Sequence, residues 1–412
     1  MIKEIIKKNK SLIKLLRFLG PGFLITIGFI DPGNWATNIE GGSKFGYELL
    51  WVITLSTIML IIVQNMAARL GIATGKSLAA NIKTHFSPVL SGTFGITIIL
   101  ACVATDVAEL LGGAIGFNLL FGVPIWIGAL ITIFLEIFFI ISQRYHQLER
   151  IIIVFLAVIS LCYVIELFIV KPVWHELLPS IVIPKINRGS IYIAMGILGA
   201  VVMPHNIFLH SNVIHSRKWG ISDAEKLKTL KYEKIDTFVA MFVGWLVNSS
   251  MIIVAAAVFF RHNLVVDSLE SAANTLTPLA GKLAGFLFAI ALVFSGVSSS
   301  ITSSLAEANV ITGFLGKPED PKSLLYKIAI FLTAIPSFFI IIFSLDIYRI
   351  LIFSQVVLSI QLPFTLIPLL ILCRKKNIMG NFNSKNTEFT LALIISIIVI
   401  ALNLYLLYSI IF

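Results

Sequence analysis

The chain has 412 residues, of which 58% are hydrophobic and 13% charged, and its mean hydropathy is +0.97. No water-soluble globular domain sustains this composition, so we predict an integral membrane protein without a separate soluble domain. The net charge of +10 comes from Lys and Arg in short segments between apolar runs, which argues against a nucleic-acid partner. Cys102, Cys162 and Cys373 lack metal-like spacing and are expected to be packing residues.

The chain begins with a basic segment, residues 1–18, which we predict to be a cytoplasmic lead-in rather than a signal peptide. Eleven apolar stretches follow, each long enough to cross a bilayer, which requires about 17 to 25 residues. The eighth stretch is long enough to include an extramembrane turn. The stretches lie near residues 19–40, 47–69, 92–116, 122–142, 151–170, 190–215, 236–260, 279–314, 326–345, 347–373 and 388–411.

The distribution of positive charge predicts the orientation of these spans. With the N-terminus inside, 24 of the 31 Lys and Arg residues fall on the inner side and 7 on the outer side. Short cytoplasmic loops carry such an excess in membrane proteins. We therefore predict a multi-pass protein of the cell (plasma) membrane with a cytoplasmic N-terminus and an external C-terminus.

The first span is interrupted by Asp31-Pro32-Gly33-Asn34. Pro removes a backbone donor and Gly disfavours helix, so the helix is expected to unwind here and leave carbonyls free. Irregular backbone and a carboxylate at membrane depth are tolerated where they line a cavity or meet a positive charge. A bound cation would satisfy both requirements.

The sixth span contains a second interruption, Met203-Pro204-His205-Asn206, of the same x-Pro-x-Asn form. Because four spans lie between the two broken spans, the sixth span crosses in the opposite direction to the first. We predict a transporter core over residues 19–380 built from inverted repeats at about 19–170 and 190–373, with an added helix at 388–412. Paired broken spans in two such halves point to a binding site at the bilayer midplane.

The residues at the breaks suggest what binds there. Asp31 and Asn34 place two oxygen ligands in one pocket, Met203 adds a thioether, and the carbonyls of Gly28 and Ala200 lie on the last turn before each break. Oxygen ligands with one sulfur suit a divalent transition metal, whereas Mg²⁺ and Ca²⁺ prefer oxygen alone. The alternative is that Met203 only fills a gap in the packing.

Further titratable residues lie inside the spans. His205 and His210 follow the second break, and Asp106 and Glu109 share one face of the third span. Histidine near a metal site can relay a proton, and intramembrane acids are costly unless they face water or a cation. We predict a proton pathway from these four residues. Structural histidines, and acids paired with an inner Lys or Arg, are the alternatives.

Four segments together resemble the signature segments of the NRAMP divalent-metal transporters. The similarity runs from about Gly20 to Gly380, and Asn248 lies in a seventh span that is also similar. The four segments are Asp31 to Ile39, Thr105 to Glu109, Ala200 to Asn206 and Ser354 to Phe364.

The resemblance implies an all-α membrane protein with a LeuT-type 5+5 inverted repeat, helices 1 and 6 broken, and one additional helix. It implies a non-enzymatic, proton-coupled secondary transporter that imports Mn²⁺, and also Fe²⁺ and related ions, by alternating access. Its partners would be the metal ion, protons and the lipid bilayer, with no cofactor and no obligate protein partner. The metal ligands would be Asp31, Asn34, Met203, the carbonyls of Gly28 and Ala200, and Gln355; His205, Glu109 and Asp106 would carry protons.

The sequence departs from the family pattern at two places. Glu307 stands where relatives usually have a small residue, and Ala329 and Ile330 stand where relatives commonly carry an Arg pair. An intramembrane acid is thus added while two positive partners are lost. Three other functions remain open: an organic-solute carrier of similar architecture, a membrane-embedded metalloenzyme and a passive metal channel. The sequence does not rank Mn²⁺ against Fe²⁺, because the same ligands suit both ions.

Overall fold

The computed structural model describes residues 20–142, 145–185, 189–217, 222–266, 268–343 and 346–411. Regular structure within these ranges is entirely helical. The predicted lead-in at residues 1–18 lies outside the described residues.

Spans 1 and 6 are each divided into two helices, as the proline breaks predict. Span 1 consists of Pro21–Gly28 and Pro32–Phe45, and span 6 consists of Ile191–Val201 and Pro204–Val213. The other nine spans are single helices: span 2 Leu50–Thr74, span 3 Pro88–Phe121, span 4 Ile125–Ser142, span 5 Tyr145–Val170, span 7 Asp223–Val258, span 8 Lys282–Phe314, span 9 Leu324–Phe343, span 10 Ile347–Arg374 and span 11 Asn386–Ile411.

Short helices and turns connect the spans. Within the described residues, ten helical segments are long and apolar enough to cross a membrane, and the divided span 1 adds the eleventh. Span 8 is continuous from Lys282, and Gly281, with a φ of +95°, separates it from the short helix that precedes it. The connecting segments are Leu78–His85, Trp174–Ser180, Ile214–Ser216, Phe260–His262, Leu269–Ala280, Lys376–Met379 and Gly380–Phe382.

The broken spans lie at the centre of the bundle. In the most apolar part of span 6, 94% of the residues are buried, against 28% in span 4 and 33% in spans 5 and 11. Spans 4, 5 and 11 therefore present much of their surface to lipid. The two breaks are enclosed by the other helices, so polar groups there are shielded from hydrocarbon.

Span 8 fills the centre with small polar residues. Its hydroxyl groups donate to carbonyls of the preceding turn, as from Ser300 to Val297 O at 3.0 Å and from Thr302 to Ser299 O at 2.9 Å. Such local bonds satisfy hydroxyl groups that would be costly in lipid. Small side chains also allow neighbouring helices to approach closely, which brings Ser303 and Ser304 against spans 3 and 4.

Candidate metal site

Asp31 ends the unwound segment of span 1 by capping the helix that follows. Its fully buried carboxylate accepts hydrogen bonds from Gly33 N at 3.0 Å and Asn34 N at 3.1 Å. A side-chain oxygen at the N-cap position satisfies the first free N–H groups of a helix in this way. The sequence Asp-Pro-Gly-Asn thus restarts the helix directly after breaking it.

Gly33 N and Asn34 N bond to Asp31, and the carbonyls that they would otherwise bind are satisfied by side chains. In a continuous helix, Phe29 O and Ile30 O would accept from residues 33 and 34. Here the Asn34 side-chain amide donates to Phe29 O, and the Ser295 hydroxyl donates to Ile30 O. The expectation of free carbonyls is therefore wrong for Phe29 and Ile30, because polar neighbours take the place of the lost backbone bonds.

Gly28 and Ala200 differ from those two carbonyls. Each lies four residues before a proline, Pro32 or Pro204, and so its helical donor would be the nitrogen of that proline. Proline has no N–H, so neither carbonyl can receive the usual helical bond. These two backbone oxygens, near the ends of the first halves of spans 1 and 6, therefore lack the helical donor that other positions have.

The second break places Met203 at the N-cap of the second half of span 6. Met203 is fully buried, and its side chain makes no capping bond to the helix that follows. Its sulfur accepts a weak contact from Asn206 Nδ2 at 3.5 Å. Asn206 also adjoins the first break, because a Cβ added at Gly28 would lie 2.7 Å from Asn206 Nδ2. Asn206 thus contacts the thioether and also lies beside the first break.

Gln355 of span 10 lies against both broken spans. Its Nε2 donates to Asp31 Oδ2 at 3.2 Å, and its Oε1 has no protein partner within the described residues. The backbone of span 10 also packs closely against span 6. A Cβ added at Gly199 would lie only 2.1 Å from Gln355 O. The structure therefore brings Gln355 together with Asp31, beside Ala200.

An amide cluster adjoins Asn34 on the side of span 7. Asn34 Nδ2 donates to Asn248 Oδ1, and Asn34 Oδ1 accepts from Asn38 Nδ2 at 2.9 Å. Asn38 also approaches the sulfur of Met251 at 3.4 Å. The sequence analysis noted Asn248 but missed Asn38 as a site residue. Its position four residues after Asn34, on the same helical face, was the available signal.

The predicted acids of span 3 belong to a larger group. Asp106 and Glu109 both accept from the Ser303 hydroxyl, and at Asp106 the distance is 3.4 Å. Glu136 of span 4 accepts from Ser304, and Glu307 accepts from Thr333 at 2.6 Å. We call Asp106, Glu109, Glu136 and Glu307 the acid cluster.

The acid cluster lacks positive partners within the described residues. None of its members forms an ion pair there, so the alternative that Asp106 and Glu109 pair with an inner Lys or Arg is not observed. One oxygen each of Asp106, Glu109 and Glu307 is buried without a donor. Across the described ranges, no three His, Cys, Asp or Glu side chains are arranged to hold a metal ion.

Glu136 was missed by the sequence analysis. It lies on a buried stripe of span 4 with a spacing of four residues, formed by Gly128, Thr132, Glu136 and Ile140. This spacing is the signal that places Glu136 toward the protein interior rather than toward lipid. Span 9 contributes the Thr333 hydroxyl one helical turn after the buried Ala329 and Ile330.

The two histidines of span 6 have separate surroundings. His205 Nδ1 lies 3.3 Å from Thr105 Oγ1, next to Asp106, and its Nε2 has no partner among the described residues. His210 lies between Gln64 Oε1 at 2.9 Å and Glu233. The structure therefore brings His205 to span 3, but it associates His210 with the N-terminal part of span 7.

The N-terminal end of span 1 is held by charged residues. Asp236 accepts from Gly20 N at 3.0 Å and from Gly22 N at 2.7 Å, and so binds the start of this half-helix to span 7. Beside Gly20, Arg217 forms a nearly buried ion pair with Glu149, in which Nη1 and Oε2 are 3.1 Å apart. The start of span 1 thus lies against charged groups of spans 5 and 7.

The geometry agrees with comparisons to known proteins. The family model described as Nramp, natural resistance-associated macrophage protein-like, matches residues 22–409. This chain belongs to the Nramp family. The family predicted from the four signature segments is thus confirmed.

Individual Nramp relatives agree over nearly the whole chain. The divalent metal cation transporter MntH of Caldanaerobacter subterraneus is 41% identical over 97% of this chain and 94% of its own length. MntH of Clostridium acetobutylicum is also 41% identical, over 97% of this chain and 92% of its own length. These relatives are named for transport and not for an enzymatic reaction, as the sequence analysis predicted.

Solved structures confirm the Nramp fold. A manganese transporter of Eremococcus coleocola, crystallised with an aromatic bis-isothiourea compound, superposes with a TM-score of 0.84 at 30% identity and covers 96% of this chain and 87% of that chain. A nucleobase-cation symporter, Mhp1, superposes with a TM-score of 0.62 at 15% identity, over 85% of this chain and 77% of its own. The second likeness shows the fold alone. Together they confirm the predicted all-α, LeuT-type architecture with two broken helices.

Proposed function

We propose that this protein carries divalent transition-metal ions, Mn²⁺ and Fe²⁺ among them, into the cell together with protons. The strongest support for a metal site is the combination of a buried carboxylate and two carbonyls. Asp31 is buried at the first break, and the prolines of the two breaks leave the carbonyls of Gly28 and Ala200 without helical donors. A dehydrated cation would use both kinds of oxygen, whereas a solute carboxylate would be repelled by Asp31.

The ligand types favour a transition metal over the abundant hard cations. We assign Asp31, Asn34, Met203, Gln355 and the two proline-freed carbonyls as the ligand set. Sulfur is a poor ligand for Mg²⁺ and Ca²⁺ but is accepted by borderline-soft ions. The names of the MntH relatives and of the Eremococcus coleocola manganese transporter agree with this assignment.

We assign proton transport to the acid cluster and to the histidines of span 6. His205 lies beside Thr105 and hence close to Asp106, which links the metal site to the cluster. Carboxyl oxygens buried without donors are satisfied when neighbouring acids share protons. The observed buried oxygens of Asp106, Glu109 and Glu307 support this role. His210, bonded to Glu233, would be a second protonation site nearer the inner side.

Alternating access requires the closed inner side to open. The bonds from Gly20 and Gly22 to Asp236, and the ion pair of Arg217 with Glu149, would have to break before an ion could leave between spans 1, 5 and 7. The described conformation would therefore be one that is closed toward the cytoplasm. This assignment follows the orientation predicted from the positive charges, with the N-terminus inside the plasma membrane.

Uptake by proteoliposomes tests the proposal. We expect Mn²⁺ to accumulate against its gradient when the lumen is made alkaline, and the accumulation to stop when an ionophore dissipates the pH gradient. A passive channel would only equilibrate Mn²⁺ and would be indifferent to the pH gradient. Equilibration without accumulation would reject proton coupling while leaving the metal site in place.

Substitutions in the acid cluster separate coupling from metal binding. We expect Glu307→Gln and Glu136→Gln to retain Mn²⁺ binding by calorimetry, because neither residue is in the proposed ligand set, but to carry fewer protons per metal ion. Glu176→Gln is a matched control, since Glu176 is exposed in the segment between spans 5 and 6. An unchanged ratio of protons to metal in both cluster variants would remove Glu136 and Glu307 from the pathway.

A further inference from the structure

An open crevice of about 950 Å³ lies where spans 2, 7 and 11 meet at the cytoplasmic end of the bundle. None of the residues that line it belongs to the proposed ligand set. We propose that this crevice binds the phosphate headgroup of an anionic phospholipid. The charges, the apolar surface and the depth of the crevice each support this occupant.

The rim of the crevice is positively charged. Lys231 and Lys234 of span 7 and Lys385 before span 11 line it with exposed side chains. Within the described residues, none of the three forms an ion pair. Basic pockets between membrane helices on the cytoplasmic side are typical binding sites for anionic lipid headgroups.

The acidic residues near the crevice do not cancel this charge. Glu388 lines the crevice but is paired with Arg69, whose second nitrogen donates to Ser384 at 2.8 Å. Glu233 and Asp236, on the same helix as the lysines, are buried and bind partners inside the protein. The three lysines therefore present an uncompensated positive charge to the membrane surface.

Below the lysines, the crevice is lined by side chains suited to acyl chains. Ile235 and Phe238 of span 7 and Leu391 of span 11 are exposed and apolar. Lys231 and Phe238 are seven residues apart on a helix, which corresponds to a vertical distance of about 10 Å. A phospholipid presents the same sequence of groups over this depth, from the charged headgroup to the hydrocarbon chains.

Amide side chains complete the polar end of the crevice, where Asn381 and Asn383 line it together with Lys385. Phosphatidylglycerol combines an anionic phosphate with two acyl chains and matches both the charged and the apolar lining. It is therefore the lipid with which we would test the site.

The test compares two triple variants by native mass spectrometry and thermal unfolding. Lys231→Gln/Lys234→Gln/Lys385→Gln removes the three charges of the crevice. Lys76→Gln/Lys83→Gln/Lys322→Gln removes three exposed charges from the same side of the membrane outside the crevice. All six residues are exposed, so both variants should fold, and the lipid readout is independent of metal transport.

From vesicles containing phosphatidylglycerol, we expect the unaltered protein and the control to retain bound lipid, and the crevice variant to retain at least about tenfold less. Phosphatidylglycerol should also raise the unfolding temperature of the first two proteins more than that of the crevice variant. Vesicles of phosphatidylcholine alone should give no difference. Equal retention by both variants would overturn the proposal. Loss of a dimer mass instead of lipid would also overturn it, and would assign the crevice to a second copy of the chain.

Discussion

The two proline breaks have the same sequence form, yet their side chains complete them differently. At the first break, Asp31 accepts two backbone N–H bonds and so stabilises the helix that follows while also bringing a negative charge. At the second break, Met203 makes no capping bond and offers a buried, weakly bonded sulfur. Asp31 therefore combines a capping role with a negative charge, whereas Met203 has no capping role, and the part we propose for it is that of a ligand.

The largest expected effect separates the two roles of Asp31. Asp31→Ala removes the charge and the cap, so we expect Mn²⁺ uptake to fall to the level of protein-free liposomes and the free energy of unfolding to fall by about 1 kcal/mol. Asp31→Asn keeps a capping oxygen and should restore thermal stability but not uptake. Uptake assays and thermal unfolding check both variants, and appreciable uptake by either would contradict the assignment of Asp31.

The next effect concerns the sulfur of Met203. Met203→Leu nearly conserves volume, which usually costs less than about 1.5 kcal/mol, and no cap is lost. We expect the preference for Mn²⁺ over Mg²⁺ and Ca²⁺ to fall by about tenfold, equivalent to about 1.4 kcal/mol. Competition assays with Mg²⁺ and Ca²⁺ measure this preference. If Mn²⁺ remained equally favoured, Met203 would be a packing residue, as its alternative interpretation holds.

A matched pair of glycines sharpens the comparison between the broken spans. A Cβ at Gly199 in span 6 would lie 2.1 Å from the backbone oxygen of Gln355, whereas a Cβ at Gly33 in span 1 would lie 1.8 Å from the side-chain nitrogen of the same residue. A side chain can move but the helix backbone cannot move without repacking. We expect Gly199→Ala to cost about 1 to 3 kcal/mol of stability.

Gly33→Ala should cost less stability but should weaken Mn²⁺ binding, since it displaces the amide that bonds to Asp31. Thermal unfolding would show which of the two variants loses more stability, and calorimetric titration with Mn²⁺ would show which binds the ion more weakly. A larger loss of stability in Gly33→Ala would show that span 10 packs more tightly against span 1 than against span 6.

The smallest effect lies at the C-terminal end of span 6. Glu319, in the segment between spans 8 and 9, accepts bonds from Asn212 and Ser77, and burial raises the pKa of its carboxyl above the ordinary 4.5. The folded protein therefore holds this proton more tightly than the unfolded chain does. The associated stability is present below pH 4.5 and is lost as the pH rises through the raised pKa.

Glu319→Gln keeps the shape and an acceptor oxygen but cannot ionise. We expect the variant to show a flatter dependence of unfolding temperature on pH above 4.5 than the unaltered protein. Asp320→Asn, at an exposed neighbouring position, is the control and should leave the dependence unchanged. A parallel dependence in the Glu319 variant would show that Glu319 ionises freely in the folded state.

Much of the site could be predicted from the sequence because its determinants are local. Asp31, Pro32 and Gly33 break and restart a helix through bonds within four residues. In span 6, Pro204 follows the break at the first position of the second half-helix. Apolar length and the positions of Lys and Arg determined the number of spans. The ligand assignment itself stays a prediction until metal binding is measured.

Other features were decided by packing between distant segments. Glu136 joins the acid cluster only because spans 4 and 8 lie side by side, and His210 pairs with Glu233 because the second half of span 6 meets the N-terminal part of span 7. The sequence predicted free carbonyls at the first break, but Asn34 and the distant Ser295 satisfy those of Phe29 and Ile30.

The sequence by itself determined where the helices cross, where they break and which residue types stand at the breaks. These properties depend on hydrophobic length and on backbone bonds between near neighbours. Only the tertiary structure decided which buried oxygens keep a partner and which do not. Inside a membrane protein, a polar group is satisfied by whatever lies within about 3 Å, and that neighbour is set by helix packing rather than by position along the chain.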